Sequence, residues 1–251
     1  MDALTDHFGE SAAATYDGDC SEMFDDEVVA RTVDVLADLA RGGRALELGI
    51  GTGRIALPLA ERGVPVVGID MSSAMVERLH AKPGGSAIPV SIGDFSTTRV
   101  DGRFTLAYLV FNTVMNLTTQ ETQVACFVNV AAHLEPGGTF VVECMVPELR
   151  RLPPGSTVVP FHVSEQSWGF DEYDVSGQSV VSHHLRVVDG VARHESIPFR
   201  YAWPAELDLM ARLAGLELQT RHAGWKQEPF SAASGIHVSV YARSTGQRER
   251  D

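Results

Sequence analysis

Three glycines, Gly49, Gly51 and Gly53, alternate with Ile50 and Thr52 directly after the apolar run Ala45-Leu46-Glu47-Leu48, and Arg54 follows them. Glycine accepts positive φ and lets a ligand approach the backbone closely. A strand that ends in such a run and leads into a helix presents unpaired N–H groups and a partial positive charge. That suits a pyrophosphate or, equally, the carboxylate of an amino-acid moiety. A dinucleotide loop spaces its third glycine three residues after the second. Here Gly53 arrives one residue early, and Arg54 stands where helix and strand would pack closely, which argues against a dinucleotide. Asp70 closes the next β-branched run, 19 residues after Gly51. A carboxylate there accepts protons from the hydroxyls of an adenosine ribose; capping the following helix is its other reading.

These residues need a scaffold, and the periodicity supplies one. Met23 to Leu39 carries Val28, Val29, Val33, Leu36 and Leu39 at helical spacing. Short apolar strands follow at 45–48, 64–69, 88–92, 104–110 and 139–143. Helices are expected at 55–61, 74–80 (with Ser72 as N-cap) and about 120–134. Near-continuous apolar strands alternating with helices predict a doubly wound, mainly parallel seven-stranded α/β sheet. Past Pro153-Pro154-Gly155 the period becomes two, and Asp189-Gly190 reads as a two-residue hairpin turn. This stretch is an antiparallel β insertion. A helix from Pro204 and strands at 216–220 and 236–242 close the chain. The expected organisation is a single domain over 1–251. It comprises an N-terminal helical cap (1–43), a cofactor-binding core (44–150), an insertion or lid (151–203), a closing helix with two strands (204–243) and a tail (244–251).

Four motifs in order give this frame a resemblance. Glu47-x-Gly49-x-Gly51-x-Gly53 resembles motif I of the class I S-adenosylmethionine-dependent methyltransferases, of the small-molecule type. Val67-Gly68-Ile69-Asp70-Met71-Ser72 resembles motif II, and Gly93-Asp94-Phe95 the acidic motif near the adenine. Leu134-Glu135-Pro136-Gly137-Gly138 resembles the turn into the fifth strand. Tyr16-Asp17 looks like the N-terminal element that closes over the cofactor. The resemblance implies S-adenosyl-L-methionine as cofactor, with Gly49, Gly51 and Gly53 along its methionine half. It places Asp70 on the ribose, Met71 against the adenine face, and Asp94 and Phe95 at the adenine edge. It also puts Tyr16 on the cofactor carboxylate, where Arg54 either pairs with the same group or forms a structural ion pair. Glu47 is expected to brace the loop.

Ligands of open α/β sheets lie beyond the carboxyl ends of the strands. That points to Phe111, Asn112 and Asn116 after the fourth strand and to Glu143, Cys144 and Met145 at the end of the fifth; the resemblance faces Phe111 and Asn112 toward the transferable methyl. No Asp/Asn-Pro-Pro-Tyr/Phe stretch occurs, which favours small-molecule acceptors over a nucleobase or a glutamine amide. In the insertion, His183 shares a face with Val181, Leu185 and Val187. It is the candidate base, with a satisfied core histidine as the alternative. Tyr201 and Trp203 extend an aromatic face with Ile197 and Phe199, either packed on the sheet or stacking on an acceptor. The expected reaction is methyl transfer to N or O of a small molecule such as an amino sugar, with Asn112, His183 and Tyr201 as catalytic candidates. The alternatives are other chemistry on the same cofactor fold and a non-catalytic cofactor-binding regulator.

Composition limits the partners. Twenty basic and 33 acidic residues give a formal charge of −13, and the cationic residues are scattered, so nucleic acid and anionic membrane are not expected partners. No run approaches a membrane span. The polar N-terminus lacks the order of a signal peptide, so a cytoplasmic location is expected. Cys20, Cys126 and Cys144 suggest no disulfide framework, and no cluster has metal-ligand spacing. A homodimer through the insertion's edge strand or aromatic face is a further expectation.

Overall fold

A computed structural model describes Gly9, Glu10, Ala13, Tyr16 and residues 26–188 and 190–245. Met23, Asp17, Cys20 and Asp189, which entered the sequence reading, lie outside the described residues. The helix α1 (Asp26–Ala40) buries Val33, Leu36 and Ala40. The sheet is then built from β1 (Ala45–Leu48), β2 (Val66–Asp70), β3 (Val90–Ile92), β4 (Phe104–Leu109), β5 (Leu134–Met145), β10 (Leu216–His222) and β11 (Ile236–Arg243). Their order is β10-β11-β5-β4-β1-β2-β3, with β11 antiparallel to both neighbours and the β5-to-β3 pairs parallel.

Two apolar layers sandwich this sheet. Leu59 of α2 (Ala56–Glu61) and Leu79 of α3 (Ser73–Ala81) join α1 on one face. On the other, Phe127 and Val130 of α4 (Gln120–His133) and Leu207 and Met210 of α5 (Pro204–Leu213) pack on Phe140, Val142 and Tyr241. Burial on both faces explains why β1, β2 and β4 read as almost unbroken apolar runs. Among the described residues no helix is long and apolar enough to cross a membrane.

The insertion forms a separate antiparallel sheet in the order β6 (Val158–Val163), β7 (Ser167–Asp174), β8 (Ser179–Val188), β9 (Val191–Arg200). Val159, Tyr173 and Val180 dock one side of it onto the main core. Its return point is polar. The buried Arg200 guanidinium donates to Gln123 Oε1 at 2.5 Å and pairs with Glu206 Oε1 at 2.7 Å. Gln123 in turn donates to the carbonyl oxygens of Val114 and Arg200. Three expectations change. The helix after the glycines starts at Ala56 instead of Ile55, leaving Arg54 in a turn. The fifth strand begins at Leu134 and includes the Pro-Gly-Gly stretch. The aromatic face breaks at Arg200, where β9 ends: Tyr201 is buried against Tyr173, whereas Trp203 is exposed ahead of α5.

Candidate active site

Strand order reverses direction between β1 and β4, and this is where an open α/β sheet leaves a crevice beyond its strand ends. The glycine loop leaves β1 there, and the corner after β4 stands beside it. Each glycine answers a different demand. At Gly49 (φ +69°) a Cβ would lie 2.6 Å from the Thr113 methyl, so the bare Cα lets the β4 corner close onto the loop. At Gly53 (φ +81°) it would lie 2.2 Å from a Leu79 methyl, so this position serves packing against α3. At Gly51 (φ +55°) nothing comes nearer than a carbonyl oxygen 4.0 Å away. The backbone at Gly51 faces open space.

Asp70 ties this loop to the next helix. Its Oδ2 accepts the Gly51 N–H at 2.7 Å and its Oδ1 the Ser72 N–H at 2.8 Å. Helix capping itself falls to the Ser72 side chain, which accepts the Met75 N–H. Beneath the loop, Glu47 is buried in β1 and its Oε2 accepts the Tyr108 hydroxyl proton at 2.8 Å. Burial pushes the Glu47 carboxyl up to about 8, against the opposing pull of Tyr108 and Arg54.

The corner after β4 is strained and tightly held. Phe111 and Asn112 both have φ +59°, a left-handed conformation costing an L-residue roughly 1–2 kcal/mol each. The Phe111 N–H donates to Glu143 Oε2 at 2.9 Å, and the Met145 N–H donates to Asn112 Oδ1 at 2.6 Å. The β4–β5 ladder has run out at Leu109 and Val142, and these two side chains continue its bonding past the end. Arg54 reaches across from the glycine loop, its guanidinium carbon 3.1 Å above the centre of the Phe111 ring. Burial raises the Glu143 carboxyl. The Phe111 N–H, the nearby Trp225 indole and Arg54 oppose that shift, although the indole N–H stands outside hydrogen-bonding geometry.

Comparison with known proteins places this arrangement. Residues 45–138 match the methyltransferase domain family. Over 207 residues the chain is 30% identical to the cypemycin N-terminal methyltransferase of a Streptomyces species, covering 80% of this chain and 84% of that protein. The chain belongs to the class I S-adenosylmethionine-dependent methyltransferases. Among solved structures, the CcbJ methyltransferase from Streptomyces caelestis matches this methyltransferase with a TM-score of 0.78 at 37% identity, over 86% of this chain and 89% of that one. CalS10, an amino pentose methyltransferase from Micromonospora echinaspora, shares the fold with a TM-score of 0.66 at 22% identity, over 92% and 95% of the two chains.

The residues present fit the methyltransferase's cofactor, S-adenosylmethionine. Open space at the Gly51 backbone and the Asp70 carboxylate at the end of β2 suit an adenosine carrying an amino-acid chain. Other expected contacts have duties of their own. Asp94 accepts the Ser96 N–H at 2.7 Å and its hydroxyl at 2.8 Å. Phe95 is buried, with its carbonyl oxygen accepting from Asn129. Met71 and Tyr16 are half-buried.

The three catalytic candidates meet different surroundings. Asn112 is at the corner with its amide oxygen engaged. Tyr201 lies in the core. His183 sits on the side of β8 opposite Val180 and Ser182, its ring stacked between Phe170 and His194. The core-facing side of β8 therefore carries His184 rather than His183. There Ser182 Oγ lies 3.2 Å from His184 Nε2, and Ser182 also bonds the Asp171 side chain. Sequence reasoning placed Glu143 at the end of the fifth strand near the ligand but missed its bond to the Phe111 N–H, for which an acid ending a buried strand was the only signal.

Proposed function

We propose that this methyltransferase methylates an amino nitrogen of a small natural product, an amino sugar or a peptide N-terminus. The observation that carries this reading is that the two polar side chains at the corner serve the backbone. Asn112 and Glu143 each accept a backbone N–H. A hydroxyl acceptor has to lose a proton as it attacks, which calls for a positioned base. A neutral amine attacks with its lone pair and needs only alignment, which is worth up to about 7–11 kcal/mol in favourable cases. Similar proteins support the same chemistry: an N-terminal methyltransferase at 30% identity, an amino pentose methyltransferase, and KedS8, a sugar N-methyltransferase from Streptoalloteichus.

When bound, S-adenosylmethionine supplies an electrophilic methyl group on a positively charged sulfur. In this reading Gly49, Gly51 and Gly53 give its amino-acid end a side-chain-free approach, and Asp70 accepts from the ribose hydroxyls. Met71, Asp94 and Phe95 border the adenine, and Tyr16 closes from the N-terminal side. Arg54 belongs to the corner, and the insertion covers the acceptor and excludes water. The insertion also exposes Val163, Trp168, Val188 and Val191, the surface we assign to self-association; loss of a dimer in light scattering on Trp168→Glu would support that assignment.

The test pairs acceptors that differ only in carrying an amine or a hydroxyl, incubated with S-adenosylmethionine and read by mass spectrometry. Methylation confined to the amines supports the reading. Methylation of the hydroxyl partners alone overturns it.

A further inference from the structure

Glu143 sits at the end of a buried strand, almost without solvent contact, and folding has to justify taking its carboxylate out of water. Its hydrogen bond to another element runs from Oε2 to the Phe111 N–H. Phe111 is the first of two consecutive left-handed residues, neither of them glycine. Such a pair persists where its surroundings hold it, and strain of this kind clusters at functional sites. Here the hold comes from three sides. Glu143 takes the Phe111 amide, Asn112 takes the Met145 amide, and the Arg54 guanidinium covers the Phe111 ring. The Thr113 methyl then rests on Gly49 of the cofactor loop. The corner is thus pinned between the strand end that carries Glu143 and the loop that carries Arg54.

From this we infer that Glu143 is a positioning residue. It fixes the Phe111–Asn112 corner as the wall against which the acceptor is aligned, and Arg54 ties that wall to the cofactor loop. The inference rests on the reading of this crevice as an amine methylation site. It assigns Glu143 no contact with the reacting atoms and no proton transfer. Its role is to accept the Phe111 N–H, so an uncharged acceptor of the same shape should serve nearly as well as the carboxylate. Among the charged groups of the described residues Arg54 faces Glu143 and opposes the rise of its carboxyl pKa, with Trp225, the Phe111 amide, Cys144 and Val238 of β11 beside it.

The experiment compares wild type with Glu143→Gln and Glu143→Leu by three readouts. Amide hydrogen exchange over residues 110–117 should show Phe111 protected in wild type and E143Q and released in E143L. Calorimetric affinity for S-adenosylhomocysteine should be similar in all three. With an amine acceptor, E143L should lose about 10- to 100-fold in kcat, the scale of a misplacement of about 1 Å, and E143Q should recover most of that loss. Equal exchange in all three proteins overturns the inference. So does an E143Q defect as deep as that of E143L, which would assign the charge itself a role. If wild type methylates no amine, the function reading falls, and amide exchange still decides whether Glu143 holds the corner.

Discussion

Alanine at Gly53 and alanine at Gly51 should damage the methyltransferase in different ways. At Gly53 the new Cβ would meet a Leu79 methyl at 2.2 Å and Leu57 carbons at 3.2 and 3.3 Å. Leu79 is fully buried, so its methyl has nowhere to swing. Overpacking of this kind costs about 1–3 kcal/mol, and φ +81° adds roughly 1–2 kcal/mol for an L-residue. For a chain of this size the sum lowers Tm by roughly 5–15 °C. At Gly51 the Cβ enters open space, so only the φ cost applies and Tm falls by roughly 2–6 °C. In the proposed reading the cofactor approaches the backbone through that open space, so Gly51→Ala should weaken S-adenosylhomocysteine binding by at least about tenfold, equivalent to ~1.4 kcal/mol. Thermal melts without ligand and calorimetric titration below the melting range separate the two effects. The reasoning fails if G53A melts like wild type, or if G51A binds the ligand as tightly as wild type.

Removing the Asp70 carboxylate with Asp70→Ala leaves the Gly51 and Ser72 N–H groups without that acceptor. Calorimetry should find S-adenosylhomocysteine binding lost, and melts should show about 1–3 kcal/mol of lost stability. Glu47 predicts a pH effect of definite sign. Its carboxyl stays protonated up to about pH 8 in the fold against 4.5 as its ordinary value. The folded state therefore holds an extra proton between these values, and stability should be lost as pH rises through that window. Denaturant melts across it should show a shallower decline for Glu47→Gln, whose amide cannot ionise. Arg200→Met should cost about 1–3 kcal/mol by removing the charged donor of Glu206, which keeps its bonds from Gln120 and Gln178. Limited proteolysis should then cut within residues 151–203 sooner than in wild type.

The glycine loop and its acid were legible because their signals are local. A strand, three glycines and an acid 19 residues later lie close in the chain, and burial on both faces marks the strands themselves. The corner after β4 depends on register. Glu143 and Phe111 stand 32 residues apart and meet only because β4 and β5 pair in parallel. Arg54 was undecided between two partners in the sequence, and the turn before α2 also lays it over the Phe111 ring, a contact that neither reading named. In β8, a period of two defines two faces without saying which one docks. Val180 and Ser182 settle that against His183. The aromatic alternation ran on through Trp203 because nothing local marks the end of β9. Arg200 ends it through a partner 77 residues away in α4.

The polar junction at Arg200 bears on how the insertion can change while the rest of the protein stays the same. An apolar seam tolerates sliding, because its contacts have no direction. A buried guanidinium committed to Gln123 and Glu206 accepts one docking angle. Away from the docked Val159, Tyr173 and Val180, the hairpins' lengths and side chains can vary without disturbing the angle at which the sheet meets the core. The insertion is in this sense an exchangeable cassette on a keyed mount. Grafting residues 151–203 from a relative should therefore carry over acceptor preference only where Arg200 and its two partners travel as a set.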